Sequence, residues 1–271
     1  MLKTTKPTLA AARSIILETI KQTSDALNKD ATKARGALNA VLWDAQRAIG
    51  AVPNYFSQSG QDMLLDQHVF TERRGGVFLD IGCDDGATGS NTLYFEVFRG
   101  WTGLLIDARS NAVAAARDCR TSTVVQAVVG KPAEEQVFIE SQINLQQMSG
   151  LQANFVQSKL DLINNNKDSG VVTSTVSVVS INALLAAAGI GAIDLVSLDV
   201  EGAEMDVLRE FDFDLHHVKA WVIENSTAGD DVAKFMSERG YALVDYLGDD
   251  EIYVDAETQA ALVAKMSEPD A

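Results

Sequence analysis

Short, almost uninterrupted apolar runs alternate with stretches of helical spacing over most of the chain. Val77–Ile81, Gly103–Asp107, Thr123–Ala127, Ala192–Asp199 and Ala220–Asn225 are rich in Val, Ile and Leu. Runs this short and this continuously apolar predict strands covered on both faces, as in a parallel sheet. Leu93, Tyr94, Val97 and Phe98 share one helical face, and Met205, Val207, Leu208 and Phe211 share another. The alternation predicts a doubly wound, Rossmann-like α/β sheet. Near the C-terminus, Tyr241–Tyr246 and Glu251–Val254 read as an antiparallel β-hairpin turning at Gly248, Asp249 and Asp250.

Residues 8–49 have a different texture. Ile16, Ile20, Leu27, Ala34, Leu38, Val41 and Ala45 recur at spacings of seven, four and three, which predicts helix. Asn28-Lys29-Asp30 marks a break, and Gly50 and Pro53 close the segment. The expected organisation is an N-terminal helical extension over 1–52 and a main domain over 53–271. The extension packs on its own domain or, alternatively, forms a helical hairpin that builds a homo-oligomer. Within the main domain, residues 131–180 read as an insertion with strands at Gln136–Glu140 and Val171–Val179. Its polar stretch 144–170, rich in Asn and Gln, is a candidate lid or substrate wall.

The chemistry concentrates where apolar runs end in acids. Asp80 closes the first run, and Gly82 and Gly86 follow it. Gly82 allows close backbone approach, and Gly86 allows a positive φ or tight packing. Ser90-Asn91-Thr92 then opens a helix whose amides face the same crevice. Asp107 closes the second run, where a carboxylate can accept bonds from two ribose hydroxyls. A dinucleotide site would show G-x-G-x-x-G, and here the glycines are four apart with an acid before the first. An acid-lined turn suits a cationic sulfonium such as S-adenosylmethionine better than a diphosphate. The run Asp194–Asp199 leads into Glu201 and Glu204 at the carboxyl edge, where ligands of open α/β sheets sit. Asp199 and Glu201 are candidates for a ligand or base role, and Glu204 for capping the next helix. Glu224 and Asn225 end the fifth run and are placed to face an acceptor. Ser57-Gln58-Ser59-Gly60-Gln61-Asp62 reads as a polar turn before a helix over Met63–Phe70, with Gln58, Gln61 or Asp62 as a possible ligand contact.

Charge narrows the partners. The net charge is −16, yet residues 1–50 hold eight basic and four acidic residues, leaving 14 basic and 34 acidic in the remainder. So acidic a domain repels phosphate backbones, and nucleic acid is a poor substrate for it. No apolar run is long enough for a membrane span. The two cysteines, Cys83 and Cys119, form neither a disulfide framework nor a C-x-x-C metal spacing, so a cytoplasmic location is expected; no spacing demands a metal, although the acids after the fourth run could hold a divalent ion. His68, His216 and His217 read as helix or surface residues, and no Ser/His/Asp or Cys/His set is evident.

Taken in order, Ser57–Asp62, Phe78–Thr92, Trp101–Asp107 and Leu195–Glu204 resemble the FkbM family of S-adenosylmethionine-dependent methyltransferases over about residues 54–254. The resemblance implies a class I methyltransferase fold in which Asp80, Gly82, Cys83, Gly86, Asn91 and Ala127 line S-adenosyl-L-methionine. It further implies that Asp107 binds the ribose and that Asp199 and Glu201 sit beside the reacting centre. Two residues depart from the family pattern: Asp107-Ala108 stands for Glu-Pro, and Cys83 for the usual alanine. The expected reaction is O-methylation of a small-molecule or glycan hydroxyl. An NAD-type oxidoreductase and a non-catalytic cofactor-binding or assembly module are the competing readings.

Overall fold

The computed structural model describes residues 9–141, 149–155, 170–226 and 229–267. The apolar runs become strands β1 (Val77–Ile81), β2 (Thr102–Asp107), β3 (Thr123–Gln126), β4 (Val128–Val129), β5 (Ala133–Glu140) and β6 (Gly150–Leu151). They continue as β7 (Val172–Val179), β8 (Ile193–Leu198), β9 (Val218–Glu224), β10 (Ala242–Leu247) and β11 (Asp250–Val254). The helices are α1 (Leu9–Leu27), α2 (Ala34–Ala48), α3 (Gln61–Leu64), α4 (Leu93–Arg99), α5 (Ser110–Cys119), α6 (Ile181–Ala188), α7 (Glu204–Glu210), α8 (Asp231–Glu238) and α9 (Ala256–Ser267).

Seven strands form the main sheet in the order β10-β11-β9-β8-β1-β2-β3. β3, β2, β1, β8 and β9 run parallel, and β11 lies antiparallel between β9 and β10. This is a doubly wound arrangement, with the hairpin closing one side. Side chains alternate between its two covered faces. Leu79, Ile81, Leu104, Ile106, Val196 and Leu198 join Val207, Leu208 and Met236 on one face. Phe78, Leu105, Leu195 and Val222 join Leu65, Phe95 and Val113 on the other. Both faces are apolar, which explains the unbroken runs in the sequence.

Several details differ from the sequence reading. The hairpin turn is Gly248-Asp249 alone, because Asp250 already pairs with Leu247 as the first residue of β11. On α4 the core side is Leu93, Tyr94 and Phe95, whereas Val97 is 58% exposed; local tertiary packing, not the strongest apolar stripe, sets the helix rotation. The helix before β1 starts at Gln61 and passes into a π-helical turn at Leu65–Val69, with the Phe70 amide donating to the Leu65 carbonyl. His216 is buried and bonds to the Gly191 carbonyl, while His217 is exposed and pairs with Asp255. The inserted strands β5 and β7 pair with each other and with β6 and β4 in a separate four-stranded sheet. Most of the stretch 144–170 read as a lid lies outside the described residues.

The N-terminal helices pack against each other and α2 packs on β10. The break between α1 and α2 falls at Asn28–Asp30, where the Arg35 guanidinium donates to the Leu27 and Asp30 carbonyls and to Asp245 on β10. Lys33 pairs with the buried Glu251 of β11, and the Asn39 amide donates to the Tyr246 carbonyl. Gly36 has to be glycine: a Cβ there would lie 2.1 Å from the Gly248 carbonyl oxygen. Val41, counted in the apolar stripe, is 47% exposed, and fully buried Trp43 anchors the helix instead. Trp43 packs beside Tyr55 and against Gly60. Truncating so large a buried ring leaves a cavity that the surrounding strands cannot fill. Trp43→Ala is expected to cost about 3–5 kcal/mol, read as a lowered denaturant midpoint at constant slope.

Candidate active site

The carboxyl ends of β1, β2 and β8 and the β10–β11 turn surround a cavity of about 450 Å³. It opens where strand order reverses between β1 and β8, so the chain leaves those strands in opposite directions and the crevice between their loops is left uncovered. Asp80, Gly82, Cys83, Asn91, Asp107, Ala127, Asp199 and Glu201 all lie on its wall. Gly86 does not. It has φ +78, and a Cβ there would meet Ala116 and Arg120 at 3.0 Å, so it packs the loop onto α5. Gly82 has φ +88, and its missing Cβ makes room for the Asp199 carbonyl, which would otherwise lie 1.6 Å away.

At the β1–β2 end, Thr92 donates from its hydroxyl to the buried Asp80. Asp107 is engaged on both oxygens: it accepts from the Asp84 amide at 3.0 Å and from the Arg109 amide at 2.8 Å, with the Arg109 guanidinium alongside. Arg109 also bridges to Asp84, whose φ is +47. Sequence reasoning did not single out Arg109, although it stands two residues from the ribose candidate. Asn91 donates through its amide nitrogen to Ser197 Oγ at 3.1 Å, while its amide oxygen is buried without a partner among the described residues.

At the β8–β9 end the wall is acidic. Asp199 is hydrogen-bonded to Glu224, and burial pushes its carboxyl well up, helped by Glu224, Asp250 and Glu201. Burial likewise raises Glu224 to about 8, with Glu201 and Glu204 adding to it. Asp250 is raised to about 6 by burial, against donation from Gln61 and Asn91. Two carboxyls this close in a low-dielectric wall cannot both ionise at neutral pH, and they hold a proton between them. Glu201 stands at φ +57 on the turn after β8. Glu204 accepts from the Val200 and Gly202 amides at 3.0 Å and so ties down the turn before α7, whose own first amides receive no side-chain cap, unlike the capping role read from the sequence. Oxygens of Asp199, Glu204 and Glu224 lie within 4.8 Å of one another, and among the described residues these three are the set that could hold a divalent ion.

The polar turn before α3 divides its labour. Gln58 and Gln61 lie on the cavity wall, and the Gln61 amide donates to Asp250 at 2.7 Å. Asp62 instead holds the turn, accepting from the Phe56 amide and the Ser57 hydroxyl. Asp249 and Asp250 escaped the sequence reading as site residues, because nothing in the sequence says that the hairpin turn folds over β8 and β9. The wall also takes in Ala40 from α2 and Phe138, Gly150 and Leu151 from the inserted sheet.

The donor set fits S-adenosylmethionine. Carboxylates and an orphaned amide oxygen face the cavity, and Arg109, the one cation among the described wall residues, is tied to two acids. Nothing here resembles a diphosphate cradle.

Among solved structures, the chain is similar to M. capricolum TrmK in complex with S-adenosyl-homocysteine, at 10% identity and a TM-score of 0.35, covering 70% of this chain and 65% of that one. It is similar to a SAM-dependent methyltransferase from Aquifex aeolicus at 11% identity and a TM-score of 0.36, covering 72% and 87%. A methyltransferase from Pyrococcus furiosus gives 13% identity and a TM-score of 0.36, covering 82% and 97%. Likenesses this faint carry no weight for the chemistry. No curated protein matches the sequence. The profile of the methyltransferase FkbM domain does match, over residues 80–243, from Asp80 near the end of β1 to the second residue of β10. That span is more than half of the chain, and the protein belongs to the FkbM methyltransferase family.

Proposed function

We propose that this S-adenosylmethionine-dependent methyltransferase acts on oxygen, methylating a hydroxyl of a sugar, glycan or natural product. The observation that carries the reading is the Asp199–Glu224 carboxyl pair at the acceptor side of the cavity. S-adenosylmethionine, when bound, supplies an electrophilic methyl on a cationic sulfur. The chain's own residues do the rest. Asp80 and Asn91 face the amino-acid end of the cofactor and Asp107 its ribose, holding the donor at the β1–β2 end of the cavity. Gln58, Gln61 and Asp250 offer amide and carboxyl partners to an acceptor rich in hydroxyls. Alignment of donor and acceptor within the cavity lowers the barrier by making the encounter intramolecular. A hydroxyl is a weak nucleophile, and a buried carboxylate with a raised proton affinity is a stronger base for it than an exposed one. Asp199 and Glu224 accept that proton, with Glu201 beside them. The acidic wall also favours a neutral or cationic acceptor over a nucleic acid.

The direct test is incubation with methyl-labelled S-adenosylmethionine and pools of alcohols, sugars and glycans, followed by mass spectrometry. Label on an acceptor oxygen is expected; label exclusively on nitrogen or carbon overturns the assignment. Asp107→Ala is expected to weaken cofactor binding by about 10–100-fold in calorimetry, the loss of hydrogen bonds to a charged group. Unchanged affinity would remove Asp107 from the ribose site.

Glu224 also makes stability depend on pH. Its carboxyl titrates near 4.5 when unfolded and near 8 when folded, so between those values the folded chain holds more protons. Stability therefore falls as pH rises through that window. Glu224→Gln keeps the bond to Asp199 without the charge. Its Tm is expected to exceed the wild type's at pH 8 by roughly 2–4 °C per kcal/mol recovered, and to match it near pH 5. Parallel melts that keep the same difference at both pH values would contradict this.

A further inference from the structure

Arg120 stands just past the last turn of α5, beneath the loop that joins β1 to α4, and its side chain is fully buried. It is not on the cavity wall. One terminal nitrogen, Nη1, donates to the Gly86 carbonyl at 2.9 Å and lies 3.4 Å from Ser90 Oγ. The other, Nη2, donates to Thr92 Oγ1 at 3.0 Å, and Nε donates to Glu96 at 3.1 Å. The guanidinium lies 5.2 Å from the Phe78 ring centroid. The Thr92 hydroxyl has a single proton. Since it accepts from Arg120, it is free to give that proton to Asp80, and it does. The result is a directed relay from a buried cation, through one hydroxyl, to a carboxylate on the cavity wall.

We propose that Arg120 is a positioning residue for cofactor binding: acting through Thr92, it orients the Asp80 carboxylate toward the cationic amino-acid end of S-adenosylmethionine. The inference rests on the reading that the β1–β2 end of the cavity holds that end of the cofactor. Its physical basis is electrostatic. Burial pushes the Asp80 carboxyl up, and the charges of Asp107 on β2 and Glu96 on α4 push the same way. Arg120 and the Thr92 hydroxyl push it down. The neighbouring Cys83 thiol is itself raised by burial and by Asp80, so it stays neutral and adds no further negative charge beside Asp80. Without Arg120, Asp80 would take up a proton at higher pH and lose its attraction for an ammonium group.

The test titrates S-adenosylmethionine into wild type, Thr92→Val, Arg120→Met and Arg120→Lys by calorimetry across the range from about pH 5 to pH 8. It is paired with 5′-methylthioadenosine, which keeps the nucleoside and lacks the amino-acid end. Thr92→Val and Arg120→Met are expected to bind S-adenosylmethionine about tenfold more weakly at pH 7, and 5′-methylthioadenosine within about twofold of wild type. The pH at which S-adenosylmethionine affinity is halved should rise by about one unit. Arg120→Lys restores a charge but not the forked bonds, so it should recover part of that pH shift. An unmoved pH midpoint, or equal losses for both ligands, overturns the proposal and leaves Arg120 as a support for the loop. If Arg120→Met does not fold, Thr92→Val alone decides. Asp80→Asn separates the two levels: wild-type affinity in that variant defeats the reading of the β1–β2 end itself. A loss in Asp80→Asn without one in Thr92→Val defeats only the relay.

Discussion

The contact on which the rest depends is between two pieces of backbone. The turn after β1 crosses so close to the end of β8 that the Asp199 carbonyl occupies the space where a Cβ on Gly82 would be. The Gly82 amide bonds to the Ile106 carbonyl on one side, and the Asp199 amide bonds to the Ile81 carbonyl on the other. Three strand ends are thus stitched together at the point where the sheet reverses direction. The crevice that opens there brings Asp80, Asp107 and Asp199 to one cavity, although they are spread over some 120 residues of chain. A side chain at position 82 would push β1 and β8 apart and separate the two ends of the site.

That shared cavity is managed differently at its two ends. At the β1–β2 end the acids meet buried cations: Arg109 lies on Asp107 and Asp84, and Arg120 reaches Asp80 through Thr92. At the β8–β9 end the acids meet each other, with Gln61, Asn91 and backbone amides for donors. A carboxylate without a nearby cation in a low-dielectric wall holds its proton more tightly. At the β1–β2 end Arg120 and Thr92 offset part of the burial that raises Asp80. At the β8–β9 end burial and the neighbouring acids together raise Asp199 and Glu224. The division follows from where two arginines are placed, not from the acids themselves.

Much of this was legible in the chain. The five parallel strands could be read because both faces of the sheet are covered, so burial shows as unbroken Val, Ile and Leu. Asp80, Asp107 and Asp199 could be read because each follows such a run directly, which fixes it to a strand end. The break at Asn28–Asp30 was visible for a similar reason, as polar residues interrupt a periodic stripe. Trp43 was not, since the stripe counted Ala34 and Val41, both of which are exposed, and one large residue does the anchoring. Arg109 and Arg120 were silent because a lone arginine in a helical stretch looks like any surface charge until its partners are known.

The sequence by itself determined the kind of sheet, the order of its parallel strands' acids and the rejection of a diphosphate-binding turn, because those depend on local spacing and on burial of whole segments. Only the tertiary structure decided which acids share a proton, that β11 enters between β9 and β10 and so carries Asp250 over the cavity, and that α2 and the inserted sheet supply part of its wall. Each of these is a contact between residues tens to hundreds of positions apart. Periodicity records which face of an element is buried, and it holds no information about which other element does the burying.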